Sequence, residues 1–461
     1  MSKNPPKNYI STTNACKLCT PLGAALAFKG IEGAVPYLHG SQGCATYMRR
    51  YIISHFNEPI DIASSSLSEK HAVYGGGPNL KLGLQNVTQK YTPKLIGIAT
   101  TCLTETIGDD VPSLLKEYAR EFPGEKPIMV AVSTPSYNGT HMEGFHDAVV
   151  ATIRTLTNDA CSQPANAPSR NKGQRLNLLP GLISPADTRY LKEIVEDFGL
   201  HPIILPDISD TMDGPVTKTY EKIGAGGTPI ADIKAMAASQ ASVEFGHTMA
   251  KESGGVLLQD SLAVKNHRLS LPMGIVATDA FLATMATISG MPVPEKYTAE
   301  RGRLVDSYVD GHKYISRKTA IIYGEEDLVV GLSTFLAEIG VIPILCASGG
   351  KSGIFAEEIK KGTGDILAAQ PQVFEGMDFF DIAELCEDLQ PDLIIGHSKG
   401  APLARKLKIP IIRVGFPIHD RLGGQRILHL GYRGAQHLFD LVVNAVIAKK
   451  QADSDIGYAY M

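Results

Sequence analysis

Short apolar runs alternate with helix-length segments along most of this chain, and that alternation limits the possible folds more than any other feature. It is plainest from residue 318 onward. Lys318-Thr-Ala-Ile-Ile-Tyr323 has the length and β-branched content of a buried strand, Gly324-Glu-Glu-Asp327 reads as a turn, and Leu328–Gly340 reads as a helix. Val341-Ile-Pro-Ile-Leu-Cys346 is the next expected strand, and Asp392–Gly396 and Pro410–Gly415 repeat the theme. Runs that are apolar throughout belong to strands covered on both faces, which is the condition of a parallel sheet. The expected fold class is therefore α/β, with doubly wound parallel sheets.

Two earlier blocks carry the same pattern. In the first, Leu95–Ala99 and Ile128–Val132 read as strands and Asp109–Tyr118 as a helix with acidic residues in its first turn. In the second, Ser184-Pro-Ala-Asp187 supplies an N-cap and a proline at a first helical position. A strand is expected at Pro202–Leu205, and a glycine-rich loop, Gly224–Pro229, precedes a helix over Ile230–Ala238. A polar stretch between the blocks, Thr157–Arg175, reads as a linker. A chain of 461 residues exceeds one hydrophobic core. The expected organisation is three Rossmann-like domains: 1–156, then 176–300 after the linker 157–175, then 301–461 with C-terminal helices.

Charge and hydropathy remove several functions. With 44 Lys and Arg against 48 Asp and Glu the formal charge is −4, and no basic block offers nucleic acid a footprint. No apolar run reaches the roughly 18 residues of a membrane span. The start, MSKNPPKNYI, lacks the apolar core of a secretory signal, so a cytoplasmic location with reduced thiols is expected.

Seven cysteines then need roles other than disulfides. Cys161, Cys346 and Cys386 read as ordinary thiols. Cys16, Cys19, Cys44 and Cys102 all fall in loops of the first block that are rich in Gly, Pro and Thr. Loops bring distant thiolates to one place, and soft thiolates suit iron–sulfur clusters or zinc. Four such thiols make one complete site, or three make half of a site shared with a partner. The glycine loops Gly75–Gly77, Gly224–Gly227 and Gly349–Gly353 lack nucleotide-binding spacing and read as tight turns. Gly396-His-Ser-Lys-Gly400 follows a strand; a capped turn is the expectation, with an anion site as the alternative.

Longer motifs carry a resemblance. Cys19-Thr-Pro-Leu-Gly23, Pro36-Tyr-Leu-His-Gly-Ser-Gln-Gly-Cys44, His55-Phe-Asn-Glu-Pro59, Ala72-Val-Tyr-Gly-Gly76, Thr100-Thr-Cys-Leu-Thr-Glu-Thr-Ile-Gly-Asp109 and Thr134-Pro-Ser136 resemble the β-type subunit of the nitrogenase component 1 family. Glu300–Asp306, Gly396–Gly400, Arg413–Pro417 and Gly431–Gly434 continue it in order across the chain. The resemblance implies three α/β domains and an α2β2 complex with an α-type partner. It implies that Cys19, Cys44 and Cys102 bind half of an interfacial iron–sulfur cluster, an [8Fe-7S] P-cluster or a [4Fe-4S] cluster, with Ser136 beside it. Cys16 has no counterpart in the family pattern, and Tyr74 falls on the face that docks the transient partner, the iron-protein reductase. The cofactor of the active site belongs to the α-type partner, so this chain alone is expected to catalyse nothing.

Two branches of the family compete. Leu205–Asp207, Gly226–Thr228, Pro294–Tyr297, Leu304–His312 and Asp420–Gly424 resemble the scaffold subunit that matures the iron–molybdenum cofactor for nitrogen fixation, and the short segment before Cys19 points the same way. A scaffold role is the expectation. The full set of three cysteines and Ser136 supports the alternative, a catalytic β subunit of an alternative nitrogenase or nitrogenase-like reductase that passes electrons through a P-cluster.

Overall fold

The computed structural model describes residues 16–161, 174–219, 221–249 and 252–455. Its strands form three sheets in which every pairing of neighbouring strands is parallel. The first sheet contains β1 (Ala34–His39), β2 (Ala63–Ser64), β3 (Leu95–Thr100) and β4 (Ile128–Val132), in the order β2-β1-β3-β4. The second contains β5 (Arg175–Leu179), β6 (His201–Ile204), β7 (Ala241–Phe245) and β8 (Asn266–Leu269), in the order β6-β5-β7-β8. The third contains β9 (Thr319–Gly324), β10 (Ile342–Ser348), β11 (Gln372–Phe374), β12 (Leu393–Gly396) and β13 (Ile411–Arg413), in the order β11-β10-β9-β12-β13.

Each order reverses once: between β1 and β3, between β5 and β7, and between β9 and β12. At such a point the loops leaving two neighbouring strands diverge to opposite faces and open a crevice at the carboxyl ends. Three crevices are thereby built into the chain, and they place everything that follows.

Burial agrees with the parallel reading. Ala320, Ile321, Ile322 and Tyr323 of β9 are all fully buried, as strands covered on both faces must be. The expected helix at Asp109–Tyr118 starts slightly later, at Val111, because Asp110 caps it by accepting from the Ser113 N–H. Ser184 caps the helix Pro185–Asp197 as expected. Sequence reasoning passed over β7 and β8. β7 reads Ala-Ser-Val-Glu-Phe, and its Glu244 is buried because Ser253, Gly255 and Asn266 all donate to it.

Three expected boundaries need correction. The helix His141–Cys161 runs through the first residues assigned to the linker, so Cys161 is helical; residues 162–173 lie outside the described residues. β5 takes in Arg175, the last residue of that linker. The helix Glu295–Ile315 crosses the boundary placed between 300 and 301. Its apolar face closes one core that Val243 of the second sheet and Ile322 of the third both enter, together with Leu438 of the C-terminal helix Gly431–Ala452. Among the described residues no helix is long and apolar enough to cross a membrane.

Candidate functional site

The first crevice gathers the thiols. His39, the last residue of β1, stands beside Thr100, the last of β3. Cys44 lies in the first turn of the helix Gln42–Phe56 that follows β1, and Cys102 opens the helix Cys102–Ile107 that follows β3. Thr101 and Thr104 cap the second helix reciprocally, and both hydroxyls also donate to the His39 carbonyl, at 3.1 and 3.0 Å. The Cys102 loop is thus tied to the end of the strand that leads to Cys44. His39 itself is buried, held by Ser65 and by Asp109, each at 3.0 Å.

Cys19 arrives from a different direction. It occupies the N-cap position of the helix Thr20–Lys29, which packs against the helix His141–Cys161. Ser136 joins the two approaches. The Thr20 N–H donates to Ser136 Oγ at 3.2 Å, and the Ser136 N–H donates to Cys102 Sγ at 3.3 Å. Ser41 Oγ donates to Cys44 Sγ at 3.3 Å.

The electrostatics give the same grouping. Burial pushes the Cys19 thiol up; the hydrogen bond with Ser136 pulls it down, and the charges of Cys102 and Cys44 raise it again. Cys19 feels the charge of both other thiols, so the three share one neighbourhood. Each is half-buried, whereas Cys16, Cys346 and Cys386 are buried. Cys386 is pushed up to about 12 by burial, and burial also raises Cys346, so neither is a ready thiolate. Cys16 is pushed up to about 12, by burial first and by Glu325 second, and its sulfur lies 3.8 Å from His397 Nε2. The side chain of Cys161 lies outside the described residues. Among the described residues no three His, Cys, Asp or Glu side chains converge tightly enough to chelate a single metal ion. Tyr74 and Val73 are exposed at the end of the short helix His71–Tyr74, and the Gly76 N–H just beyond is anchored on the Asp109 carboxylate.

Two further residues were not named as site residues from the sequence, although one lies in a loop that was singled out. Lys399 lies in the Gly396–Gly400 loop; burial lowers its pKa, and the charges of Cys16 and Cys19 oppose that shift. The loop is a turn in which the Ser398 N–H donates to the Pro417 carbonyl, Ser398 Oγ to Asp420 and Lys399 Nζ to the Lys17 carbonyl, while His397 Nδ1 is buried without a partner. The following helix, Ala401–Leu407, is short, and the anion-site alternative gains nothing from this geometry.

The second feature is Glu326, at the end of the third sheet. It is buried, with Oε1 accepting from the Ser352 N–H and Oε2 without a partner. Burial raises its pKa from 4.5 to about 7, against the pull of Ser352. Between those two values the folded chain holds a proton that the unfolded chain has released, so stability falls as pH rises through that window. Glu326→Gln stays uncharged throughout. The drop in thermal midpoint between pH 5 and pH 8 is expected to be smaller in this variant than in the unaltered chain; an equal drop in both would show that Glu326 does not carry it.

Comparison with known proteins fits this geometry. The family described as "Nitrogenase component 1 type Oxidoreductase" matches residues 19–447. The chain belongs to the nitrogenase component 1 family. Within this family it is of the β type. It is 34% identical over 438 residues to the nitrogenase molybdenum-iron protein beta chain of Clostridium pasteurianum, covering 95% of this chain and 93% of that one. It is 36% identical over 447 residues to the same subunit of Methanothermobacter thermautotrophicus, covering 94% of each. The iron-molybdenum cofactor biosynthesis protein NifN of Bradyrhizobium diazoefficiens is 33% identical over 439 residues, covering 95% of this chain and 90% of that one. Among solved structures, a chain of "Nitrogenase Cp1 at pH 6.5" superposes with a TM-score of 0.93 at 32% identity, covering 100% of this chain and 99% of that one. The component 1 fold is thus shared along the whole length.

Proposed function

We propose that Cys19, Cys44 and Cys102, with Ser136 beside them, hold half of an iron–sulfur cluster completed by an α-type partner in an α2β2 complex, and that this complex relays electrons from an iron-protein reductase. The observation that carries the reading is the grouping of three half-buried thiols at the first crevice, with Ser136 bridging the Cys19 helix and Cys102. The donor set fits the group. Thiolates are the usual ligands of iron–sulfur clusters, and three half-buried thiols stand together here. When bound, such a cluster stores and releases single electrons at a potential set by ligands, charge and burial.

This chain's residues act on that potential. The Ser136 N–H and the Ser41 hydroxyl donate to the sulfurs of Cys102 and Cys44, and Lys399 places positive charge near Cys19. Each favours the more negative, reduced state. A cytoplasmic setting keeps the thiols free, and the exposed Val73 and Tyr74 suit a transient docking face.

The complete thiol set, together with the similarity to beta chains, favours electron relay over cofactor assembly. The similarity to NifN supports a second reading, a scaffold for maturation of the iron–molybdenum cofactor. The purified complex, supplied with iron protein, ATP and reductant, separates them. Sustained reduction of acetylene, dinitrogen or a thioether is the expected result. Transfer of cofactor to an apo-nitrogenase without such turnover would establish the scaffold instead.

A further inference from the structure

The crevices of the second and third sheets face a chamber remote from the role of the thiols. Pro180 and Gly181 follow β5, Phe245 ends β7, and Glu325 follows β9; all line this chamber, which has a volume of about 60 Å³. A water-sized sphere needs roughly 10–15 Å³ on this measure, so the space takes several waters or a molecule of about five heavy atoms. Its walls are mainly apolar, with Phe56, Leu182, Leu271 and Phe416 among them. Small-molecule sites in doubly wound folds lie at such carboxyl-end crevices, in apolar hollows with a few directed polar groups.

Two histidines supply those groups. His429 is 7% exposed, and its Nδ1 lies 2.9 Å from Asp187 Oδ2. Asp187 also accepts from Ser184 Oγ and from the backbone N–H groups of His429 and Leu430. A carboxylate so loaded with donors only accepts, so Nδ1 carries a proton, and in the Nδ1–H tautomer Nε2 is a bare acceptor. That Nε2 is buried and has no partner. His55 is the converse. Its Nδ1 accepts from the Ile418 N–H at 2.8 Å, which leaves Nε2–H as a donor. Its buried ring is held neutral, with its pKa lowered to about 3 by desolvation.

This pair argues against a metal, because the His55 nitrogen on offer is protonated. It argues for a hydrogen-bonded guest. Anions are excluded by Asp187, Glu325 and Asp327, which line the chamber with no Lys or Arg among the lining residues. We propose that this chamber is a binding site for a small uncharged molecule of azole type, its N–H directed to His429 Nε2 and its acceptor nitrogen to the N–H of His55. None of the three thiols lines the chamber, and its test does not need a cluster.

Pyrazole is the probe: five heavy atoms, one N–H, one acceptor nitrogen, uncharged at neutral pH. Calorimetric titration of the full-length chain at pH 8 is expected to give a dissociation constant of about 0.1–1 mM, within the limit for so small a ligand. N-methylpyrazole, lacking the donor, is expected to bind about tenfold or more weakly, and so is pyrazole to His429→Leu. Acetate is expected not to bind. The ligand series runs on the unaltered chain, so it decides even if the variant fails to fold. Equal binding of pyrazole and N-methylpyrazole, absence of pyrazole binding at 20-fold above the expected constant, or tighter binding of acetate would each overturn the proposal and leave a chamber that holds only water.

Discussion

Replacing Cys19, Cys44 or Cys102 singly by alanine is expected to strip most of the iron and acid-labile sulfide from the anaerobically purified complex, while Cys386→Ala leaves both in place. The contrast follows from what each sulfur touches. Cys386 is fully buried among Ile321, Phe379, Ile382 and Ile394, and its loss removes packing. The other three are half-buried, Cys19 feels the charge of both others, and Cys44 and Cys102 already accept hydrogen bonds from Ser41 and Ser136. If the three thiols ligate a cluster as proposed, removing one thiolate leaves it with an open coordination position. Ser136→Ala separates ligation from support. It keeps the backbone N–H that reaches Cys102 and loses the hydroxyl, which receives the Thr20 N–H and hydrogen-bonds Cys19, but it removes no thiolate, so iron content is expected to change less than in the cysteine variants. Iron and sulfide per complex, measured chemically, check all of these. Equal iron in Cys44→Ala and Cys386→Ala would sink the ligand assignment.

Sequence reasoning succeeded where a physical constraint acts locally. Strands such as β3 and β9 are short continuous apolar runs because both faces are covered, and Ser184 caps its helix through a bond three residues away. Loop context marked four thiols, Cys16, Cys19, Cys44 and Cys102, and only the family resemblance narrowed them to three; the fold buries Cys16 and leaves the other three half-buried. What stayed hidden depends on residues distant in the chain. β7 contains a glutamate that reads as a surface residue until Ser253, Gly255 and Asn266 are brought to it. Asp187 and His429 lie 242 residues apart, and neither position carries a motif. Lys399 belongs to a loop that reads as a capped turn, and only folding places its charge near Cys16 and Cys19. The expected boundary at 300/301 lies just past the Pro-rich Met291–Pro294, whereas the helix Glu295–Ile315 answers to a core shared by two sheets.

Gly23→Ala is expected to be the most damaging single-methyl change near the thiols. Gly23 lies in the helix that Cys19 caps, and a Cβ there would stand 1.6 Å from the His141 carbonyl oxygen and 2.9 Å from the Phe145 nitrogen. These are backbone atoms of the helix His141–Cys161, so no side-chain rotation relieves the overlap. Gly144 makes the reciprocal approach: its added Cβ would meet the Thr20 carbonyl oxygen at 2.0 Å. The two helices must therefore move apart, and that motion breaks the bonds registering them, the His141 N–H to the Leu18 carbonyl at 3.0 Å and the Leu18 N–H to His141 Nδ1 at 3.3 Å. Overpacking of this kind costs about 1–3 kcal/mol where side chains can adjust, and the cost is greater against backbone. The same motion carries Cys19 away from Ser136, so Gly23→Ala is expected to lower both the thermal midpoint and the iron content of the complex. Gly302→Ala is the control. It lies within the helix Glu295–Ile315, its Cβ would meet nothing within 4 Å, and alanine there is expected to stabilise by about 0.5–1 kcal/mol. A Gly23→Ala chain that melts with the unaltered one would mean that the two helices do not cross at backbone contact, and that the position of Cys19 is set by something other than this crossing.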